Sequence, residues 1–277
     1  MYMDYGVYEE DIKKILKTYK IERAQIEKLL QEKLAKDTKL LAVIETKNAP
    51  SEVARTAEYK RFIKDLKKDV YYGLRKYFQV PVADTNNFLE LTKSHVSTKE
   101  RLEDLAEFNK IFTKSIARYE HILDIGGGLY PLIFPFDKAV NLKTYTWIDK
   151  NKQSFETMNS INDALQTKNP TVEFRFFGES IGDRPWKDYL PAGVADFDLA
   201  LMLKLIPVVQ RQQRELIPLL LTVPAKSFLV TGSRYALTKN MDIEGRERKV
   251  IKDFIEKSGK NLTESLNTKN EFGYLLA

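Results

Sequence analysis

Three consecutive glycines, Gly126, Gly127 and Gly128, follow the apolar stretch "HILDI", in which Asp124 is the one acidic residue. A second carboxylate, Asp149, closes the next apolar stretch, "TYTWI", about 20 residues further on. Glycines after a strand let backbone approach a ligand closely, and an acidic side chain ending the following strand can accept hydrogen bonds from both hydroxyls of a ribose. Each such charge-assisted bond contributes on the order of 1.5 to 3 kcal/mol. A dinucleotide fingerprint would need a third glycine where Pro131 stands. Asp124 would also repel a pyrophosphate, yet attract a cationic amino-acid head group. A nucleoside that carries an amino acid, S-adenosylmethionine (SAM), meets both conditions, with Asp124, Gly126, Gly128 and Asp149 as its contacts.

Two more strand ends extend this candidate site. "FFGES" brings Gly178, Glu179 and Ser180 to the adenine end, and "LMLKLIP" brings Leu203 and Lys204 to the central rim beside the transferable methyl. Each residue also has a plainer reading: a tight turn for the glycines, a helix cap for Asp149, a salt-bridged rim lysine for Lys204.

The elements that must position these residues alternate. From His121 onwards, β-rich runs ("HILDIG", "TYTWID", "VEFRFFG", "FDLALMLKLI", "SFLVTG") are separated by helical segments. That order predicts a parallel, Rossmann-like α/β sheet with helices on both faces. "LTESL" and "EFGYLLA", joined by "NTKN", read as a closing hairpin that adds an antiparallel edge. From Tyr8 to about residue 78 the chain instead reads as helix after helix, with a break at Pro50-Ser51, a helix start in "SEVARTAEYK" and a stop at Pro81. One further helix is expected from Ser97 to Arg118. The domain boundary is expected at 92/93: a helical unit over 1–92 and the sheet over 93–277.

Composition narrows the chemistry. The 277 residues contain no cysteine, which excludes disulfides, thiolate metal sites and cysteine nucleophiles; no metal is expected. No apolar run approaches the roughly 20 residues of a membrane helix, and the start, "MYMDYGVYEEDIKK", lacks the order of a signal peptide, so the expected place is the cytoplasm, off the membrane. The formal charge is +6. Much of it is local: between Arg55 and Lys76 stand eight basic and three acidic residues. Lys60, Lys64, Lys67 and Lys68 share helical spacing, and with Arg75 and Lys76 they could track a phosphate backbone; the alternative is a solvated helix face. Of the two histidines, His95 reads as a structural residue of its loop and His121 as the start of a strand.

Three stretches carry a family resemblance, from about residue 92 to the end of the chain. "HVSTKERL" (95–102), "LDIGGGLYPL" (123–132) and "FDLALMLKLIPVVQRQQ" (197–213) resemble the aminoglycoside-resistance 16S ribosomal RNA methyltransferases of the Arm/Rmt and Sgm/FmrO type. The first and third are far more specific than the glycines. The resemblance implies a class I SAM-dependent fold, methylation of N7 of a guanine in the decoding site, and an N-terminal helical subdomain that grips the assembled small ribosomal subunit, with no DNA partner. It further implies that Arg101 pairs with the SAM carboxylate, Asp149 with the ribose, Leu203 with the cofactor, and that Gln212 approaches it. Two departures stand out: Tyr130 replaces the family's asparagine, and "TGSRYALTKN" stands where the family has Phe-Pro-x-Lys-Ser-Leu, with a displaced match at Gly245-Arg246-Glu247-Arg248. Guanine N7 carries no proton, so its methylation calls for alignment, not a base, and Lys204 is left to orient phosphate or the base edge. The rival readings are a methyltransferase for tRNA or a small molecule, a non-catalytic ribosome-binding factor on the same fold, and, least supported, a nicotinamide-dependent oxidoreductase.

Overall fold

The computed structural model describes residues 7–47, 49–74, 88–112, 115–236, 238 and 241–277. The chain divides into two units, Met1–Lys76 with Tyr235–Asp242, and Tyr77–Arg234 with Ile243–Ala277.

Among the described residues, the first unit holds five helices: α1 (Glu9–Thr18), α2 (Arg23–Leu34), α3 (Thr38–Thr46), α4 (Pro50–Arg55) and α5 (Ala57–Leu74). Local chemistry sets their starts. Gln25 reaches back to the Glu22 N–H at 3.2 Å, the Asp37 side chain accepts from the Leu40 N–H at 3.1 Å, and Pro50 occupies the first position of α4. Thr56 is extended and its hydroxyl accepts from the Tyr59 N–H, so the stretch expected as one helix start becomes two helices. Ile15, Ile26, Leu30, Leu40, Phe62 and Leu66 form the core of this unit. The segment Tyr235–Asp242 joins it through the Lys20 N–H, which donates to the Thr238 carbonyl at 3.1 Å.

The second unit is built on seven strands: β1 (His121–Ile125), β2 (Thr144–Ile148), β3 (Glu173–Phe177), β4 (Phe197–Met202), β5 (Ala225–Ser233), β6 (Leu262–Asn267) and β7 (Glu271–Leu276). Their order is β3-β2-β1-β4-β5-β7-β6. The first five are parallel, and the closing hairpin adds β7 antiparallel to β5 with β6 outermost. Because the chain leaves β1 in one direction and β4 in the other, a crevice opens at their carboxyl ends.

Helices α6 (Phe88–Ser94), α7 (Val96–Leu102) and α8 (Leu105–Asn109) precede β1; α9 (Lys152–Ser160) and α10 (Asn162–Lys168) link β2 to β3; α11 (Leu205–Gln212) and α12 (Ile217–Leu221) link β4 to β5; α13 (Glu244–Ser258) precedes β6. Alternate strand residues face opposite layers. Ile122, Tyr145, Trp147, Leu199, Leu201 and Leu229 pack with Phe108, Phe112, Met158 and Leu165. Leu123, Ile125, Ile148, Ala200, Met202 and Val230 pack with Ile206, Val209, Leu220, Ile251 and Phe254. Helices thus cover both faces, though the β1–β2 link contains only two short 3₁₀ turns and the β3–β4 link only one.

Two expectations shift. The boundary at 92/93 would cut through α6, whose Leu91 is buried in the core of the second unit, and the division instead falls at 76/77. The helix expected from Ser97 to Arg118 is broken after Leu102, because Asp104 accepts the Lys269 N–H at 2.9 Å from the β6–β7 turn. The expected stop at Pro81 lies outside the described residues.

Candidate functional site

At the end of β1 the backbone turns through Gly126 (φ +70°) and Gly128 (φ +52°), a left-handed conformation that L side chains avoid. Between them, a Cβ on Gly127 would lie 2.3 Å from Asp124 Oδ2 and 2.5 Å from Trp147 Cδ1. On Gly128 it would lie 2.7 Å from the His95 ring. The turn is therefore closed in by β1 and β2 on one side and by the start of α7 on the other.

Asp149 ties this turn to β2. Its Oδ2 accepts the Gly128 N–H at 2.9 Å and its Oδ1 accepts the Asn151 N–H at 2.8 Å. Each oxygen keeps a second lone pair. Burial pushes the carboxyl above its usual range, against the opposing pull of the two N–H groups. Asp124, fully buried, accepts the Tyr145 hydroxyl on Oδ2 at 2.8 Å, while Oδ1 has no partner among the described residues. The Tyr130 hydroxyl, also fully buried, has none among them either. Burial pushes Asp124 up to about 7, although the Tyr145 bond and Arg101 act the other way.

A buried ionic cluster adjoins these groups. Arg101 on α7 gives Glu271 two hydrogen bonds, Nε to Oε2 at 2.9 Å and Nη2 to Oε1 at 3.0 Å. The Phe108 and Tyr130 rings lie 5.3 and 5.4 Å from its guanidinium carbon. Glu271 also accepts the Thr231 hydroxyl. Burial alone would raise the Glu271 carboxyl, but Arg101 and Lys204 outweigh it and hold it below its usual range. Lys204 Nζ stands 2.8 Å from Glu100 and 3.7 Å from Glu271. Its backbone, at φ 58°, is left-handed, and its N–H donates to Thr231 Oγ1 at 2.9 Å. A non-glycine residue held there costs on the order of 1 to 3 kcal/mol, and such strain gathers at working sites. His95 bonds Thr98 at 2.8 Å; burial, then Arg101 and Lys204, lower it to about 4, so it is neutral at pH 7.

The sequence-derived residues thus fall into two groups. Arg101, Asp124, Gly126, Gly128, Asp149, Leu203 and Lys204 come together at the carboxyl ends of β1, β2 and β4, with Leu203 buried beside Leu129 and Tyr130 in one core. Glu179, after β3, is held by Arg184 at 2.6 Å and by the Tyr189 hydroxyl. Gln212 is exposed on the last turn of α11, and it is Gln213 that bonds Lys150, next to Asp149. Missing from the sequence reading were Glu271, Thr231, Tyr145 and Glu100. Glu271 is the one with a visible mark, an acidic residue opening the otherwise apolar run "EFGYLLA".

In the first unit Lys60, Lys64 and Lys68 are exposed along α5, within an arc of roughly 100° with Lys67. Lys67 is 3.2 Å from Asp11, and Arg61 is 3.0 Å from Asp37, so part of the local excess of charge is neutralised. Lys14, Lys60, Lys64 and Lys67 line a cleft of about 670 Å³ together with Glu10 and Asp11. Arg75 and Lys76 lie outside the described residues.

The arrangement in the second unit suits a zwitterion: a guanidinium that bonds Glu271 through Nε and Nη2 but, among the described residues, not through Nη1 shares this cluster with a carboxyl oxygen and a phenol that have no partner among those residues. Among the described residues no His, Asp and Glu set is grouped to hold a metal.

A seven-stranded sheet of this order, with a glycine turn after β1 and an acidic residue after β2, is the Rossmann-like sheet of class I methyltransferases. The ribosomal RNA methyltransferase (FmrO) family model matches residues 81–237, more than half of the chain, and the chain belongs to that family. Solved structures agree in fold. The 16S rRNA methylase ArmA is 24% identical with a TM-score of 0.54, over 69% of this chain and 90% of its own. The 16S rRNA methyltransferase RmtF, in complex with S-adenosyl-L-homocysteine, is 17% identical with a TM-score of 0.53, over 99% and 98%. An rRNA methylase from Escherichia coli is 16% identical with a TM-score of 0.50, over 97% and 98%. No curated protein sequence matches the chain.

Proposed function

We propose that this chain transfers a methyl group from SAM to N7 of a guanine in the decoding site of 16S rRNA, within the assembled small ribosomal subunit, and that this modification gives aminoglycoside resistance. The observation that carries the reading is the gathering of Arg101, Asp124, Asp149 and Lys204 at the β1/β4 crevice of a chain in the FmrO family. The residues present fit SAM. The orphaned Asp124 Oδ1 suits its ammonium, the Nη1 edge of Arg101 its carboxylate, and the spare lone pairs of Asp149 its ribose hydroxyls. Gly126 and Gly128 let the backbone turn beneath it, Leu203 supplies an apolar contact, and Glu179 lies toward the adenine end.

When bound, SAM supplies an electrophilic methyl on a sulfonium. The chain's own residues then align and desolvate; guanine N7 offers a lone pair without a proton, so none of them need act as a base. Lys204, pinned by Glu100 and held in a strained backbone, would orient the incoming base edge or a flanking phosphate. The lysine face of α5 (Lys60, Lys64, Lys67, Lys68), with Arg75 and Lys76, would grip rRNA, which also implies the cytoplasm as the place of work.

The test is transfer of labelled methyl from SAM to intact small subunits, naked 16S rRNA and tRNA side by side. Label in 16S rRNA of intact subunits alone is the expected result. Label on tRNA, or none on any of the three, would overturn the substrate assignment.

A further inference from the structure

Glu271 is fully buried, lies 170 positions from Arg101 in the chain, and takes part in none of the roles above. It nevertheless meets three elements at once: the Arg101 guanidinium from α7, the Thr231 hydroxyl from β5 and, at 3.7 Å, the Lys204 ammonium at the β4–α11 junction. The geometry of the first contact is specific. A guanidinium has two edges that accept a carboxylate in the forked mode, one formed by Nε with an Nη and one formed by the two Nη atoms. Glu271 occupies the first, through Nε at 2.9 Å and Nη2 at 3.0 Å. Phe108 and Tyr130 cover the guanidinium at 5.3 and 5.4 Å. What is left is the Nη1–Nη2 edge.

Where that edge lies is bounded by its neighbours. At the start of the same helix, the N-cap His95 and Thr98 bond each other, and His95 abuts Gly128 so closely that a Cβ there would fall 2.7 Å from its ring. The α7 helix is therefore seated on the glycine turn. The Tyr130 ring lies 5.4 Å from the guanidinium, its hydroxyl has no partner among the described residues, and Arg101 and Asp124 feel each other's charge. Within this cluster two cations, Arg101 and Lys204, face two anions, the buried Glu271 and the half-buried Glu100. An amino-acid end that brings both a carboxylate and an ammonium adds no net charge to this part of the site, whereas an anion alone would.

We propose that Glu271 is a positioning residue, which clamps one edge of Arg101 so that the other is presented to the carboxylate of the amino-acid end of the cofactor, and which makes the C-terminal hairpin part of the cofactor site. This rests on the reading that Arg101 receives that carboxylate. Glu271 touches neither cofactor nor substrate; it acts through Arg101 alone. It also offsets the cost of burying a guanidinium when no ligand is present.

The test compares two ligands by titration calorimetry: S-adenosylhomocysteine and its decarboxylated counterpart, S-adenosyl-3-thiopropylamine, which keeps the ammonium and lacks only the carboxylate. The wild-type protein should prefer the former. Glu271→Asp keeps the charge but withdraws it by one methylene, so the forked contact fails; Glu271→Gln keeps the length but can accept on one oxygen only. In both variants the preference for the carboxylate should fall by about tenfold or more, as when a group that orients a binding residue is removed, with affinity for the decarboxylated ligand unchanged within about twofold. A purely structural role would weaken both ligands in parallel, and that result overturns the proposal. Tighter binding of S-adenosylhomocysteine by Glu271→Gln would also overturn it, since Glu271 would then be a competitor for Arg101. A wild-type protein that binds both ligands equally removes the role of Arg101 while leaving a SAM site; one that binds neither removes the proposed function itself.

Discussion

Lys204 in the second unit and Lys64 in the first carry the same side chain into opposite surroundings. The Lys204 side chain is 11% exposed, locked against Glu100 and Glu271, and its backbone is held in a left-handed conformation. Lys64 lies on an exposed helix face with Lys60 and Lys68, at the edge of an open cleft. A buried charge must be matched in position by its partner, so each member of the Arg101, Glu271, Lys204 and Glu100 cluster depends on the rest. Exposed lysines act through their summed field, which tolerates displacement and is screened within about 8 Å at physiological salt. The second unit should accordingly fail at single positions, and the lysine face of the first should weaken by degrees.

The largest effect is expected at Asp149. Asp149→Ala removes the acceptor of the Gly128 and Asn151 N–H groups together with the proposed ribose contacts. With each charge-assisted bond contributing about 1.5 to 3 kcal/mol, affinity for S-adenosylhomocysteine should fall by at least about 100-fold in calorimetry. Next is Gly128→Ala, which meets both a positive φ and the His95 ring. The backbone conformation alone costs about 1 to 2 kcal/mol, so the melting temperature should drop along with cofactor affinity.

A third prediction concerns pH. The Asp124 carboxyl is pushed up to about 7 in the folded protein, against about 3.9 when unfolded. Between those values the folded state holds a proton that the unfolded state has lost, so stability should fall as pH rises through this window. Cofactor affinity should move the other way, rising through pH 7 as the ionised carboxyl becomes available to the ammonium. Asp124→Asn should flatten both profiles, as followed by denaturant melts and calorimetry across pH.

For the lysine face the expected change is smaller and graded. Reversing Lys60, Lys64 and Lys68 to Glu should weaken binding to small subunits and flatten its salt dependence, while affinity for S-adenosylhomocysteine stays the same. Lys64→Ala alone should lower the salt slope by only about 1. If the triple reversal instead abolishes cofactor binding, the division of labour between the two regions is wrong.

The same contrast decides what was legible in the sequence. Strands reveal themselves through short apolar runs, and "HILDI", "TYTWI" and the closing hairpin all lie where the pattern predicts. Asp124, Asp149 and the glycines were readable because a strand end followed by a turn is a local event. Glu271 is marked in the sequence only as an acid opening an apolar run; its pairing with Arg101 is made by the fold and leaves no periodicity behind. For a similar reason the helix expected over 97–118 is interrupted: a contact from Asp104 to the distant Lys269 N–H overrides local helical preference. The membership of Tyr235–Asp242 in the first unit is likewise invisible in a linear reading. The lysine spacing on α5 was legible, yet the neutralisation of Lys67 by Asp11 and of Arg61 by Asp37 was not, since both acids come from other helices.

The most direct test of the function is to map the methyl itself. Small subunits treated with the protein and SAM would have their 16S rRNA reduced with borohydride and cleaved with aniline, which breaks the chain at N7-methylguanine. A single new cleavage in the decoding site, absent when Asp149→Ala replaces the wild-type protein, is the result predicted here. Methyl incorporation without that cleavage would mean another base or another atom, and would contradict the assignment of guanine N7.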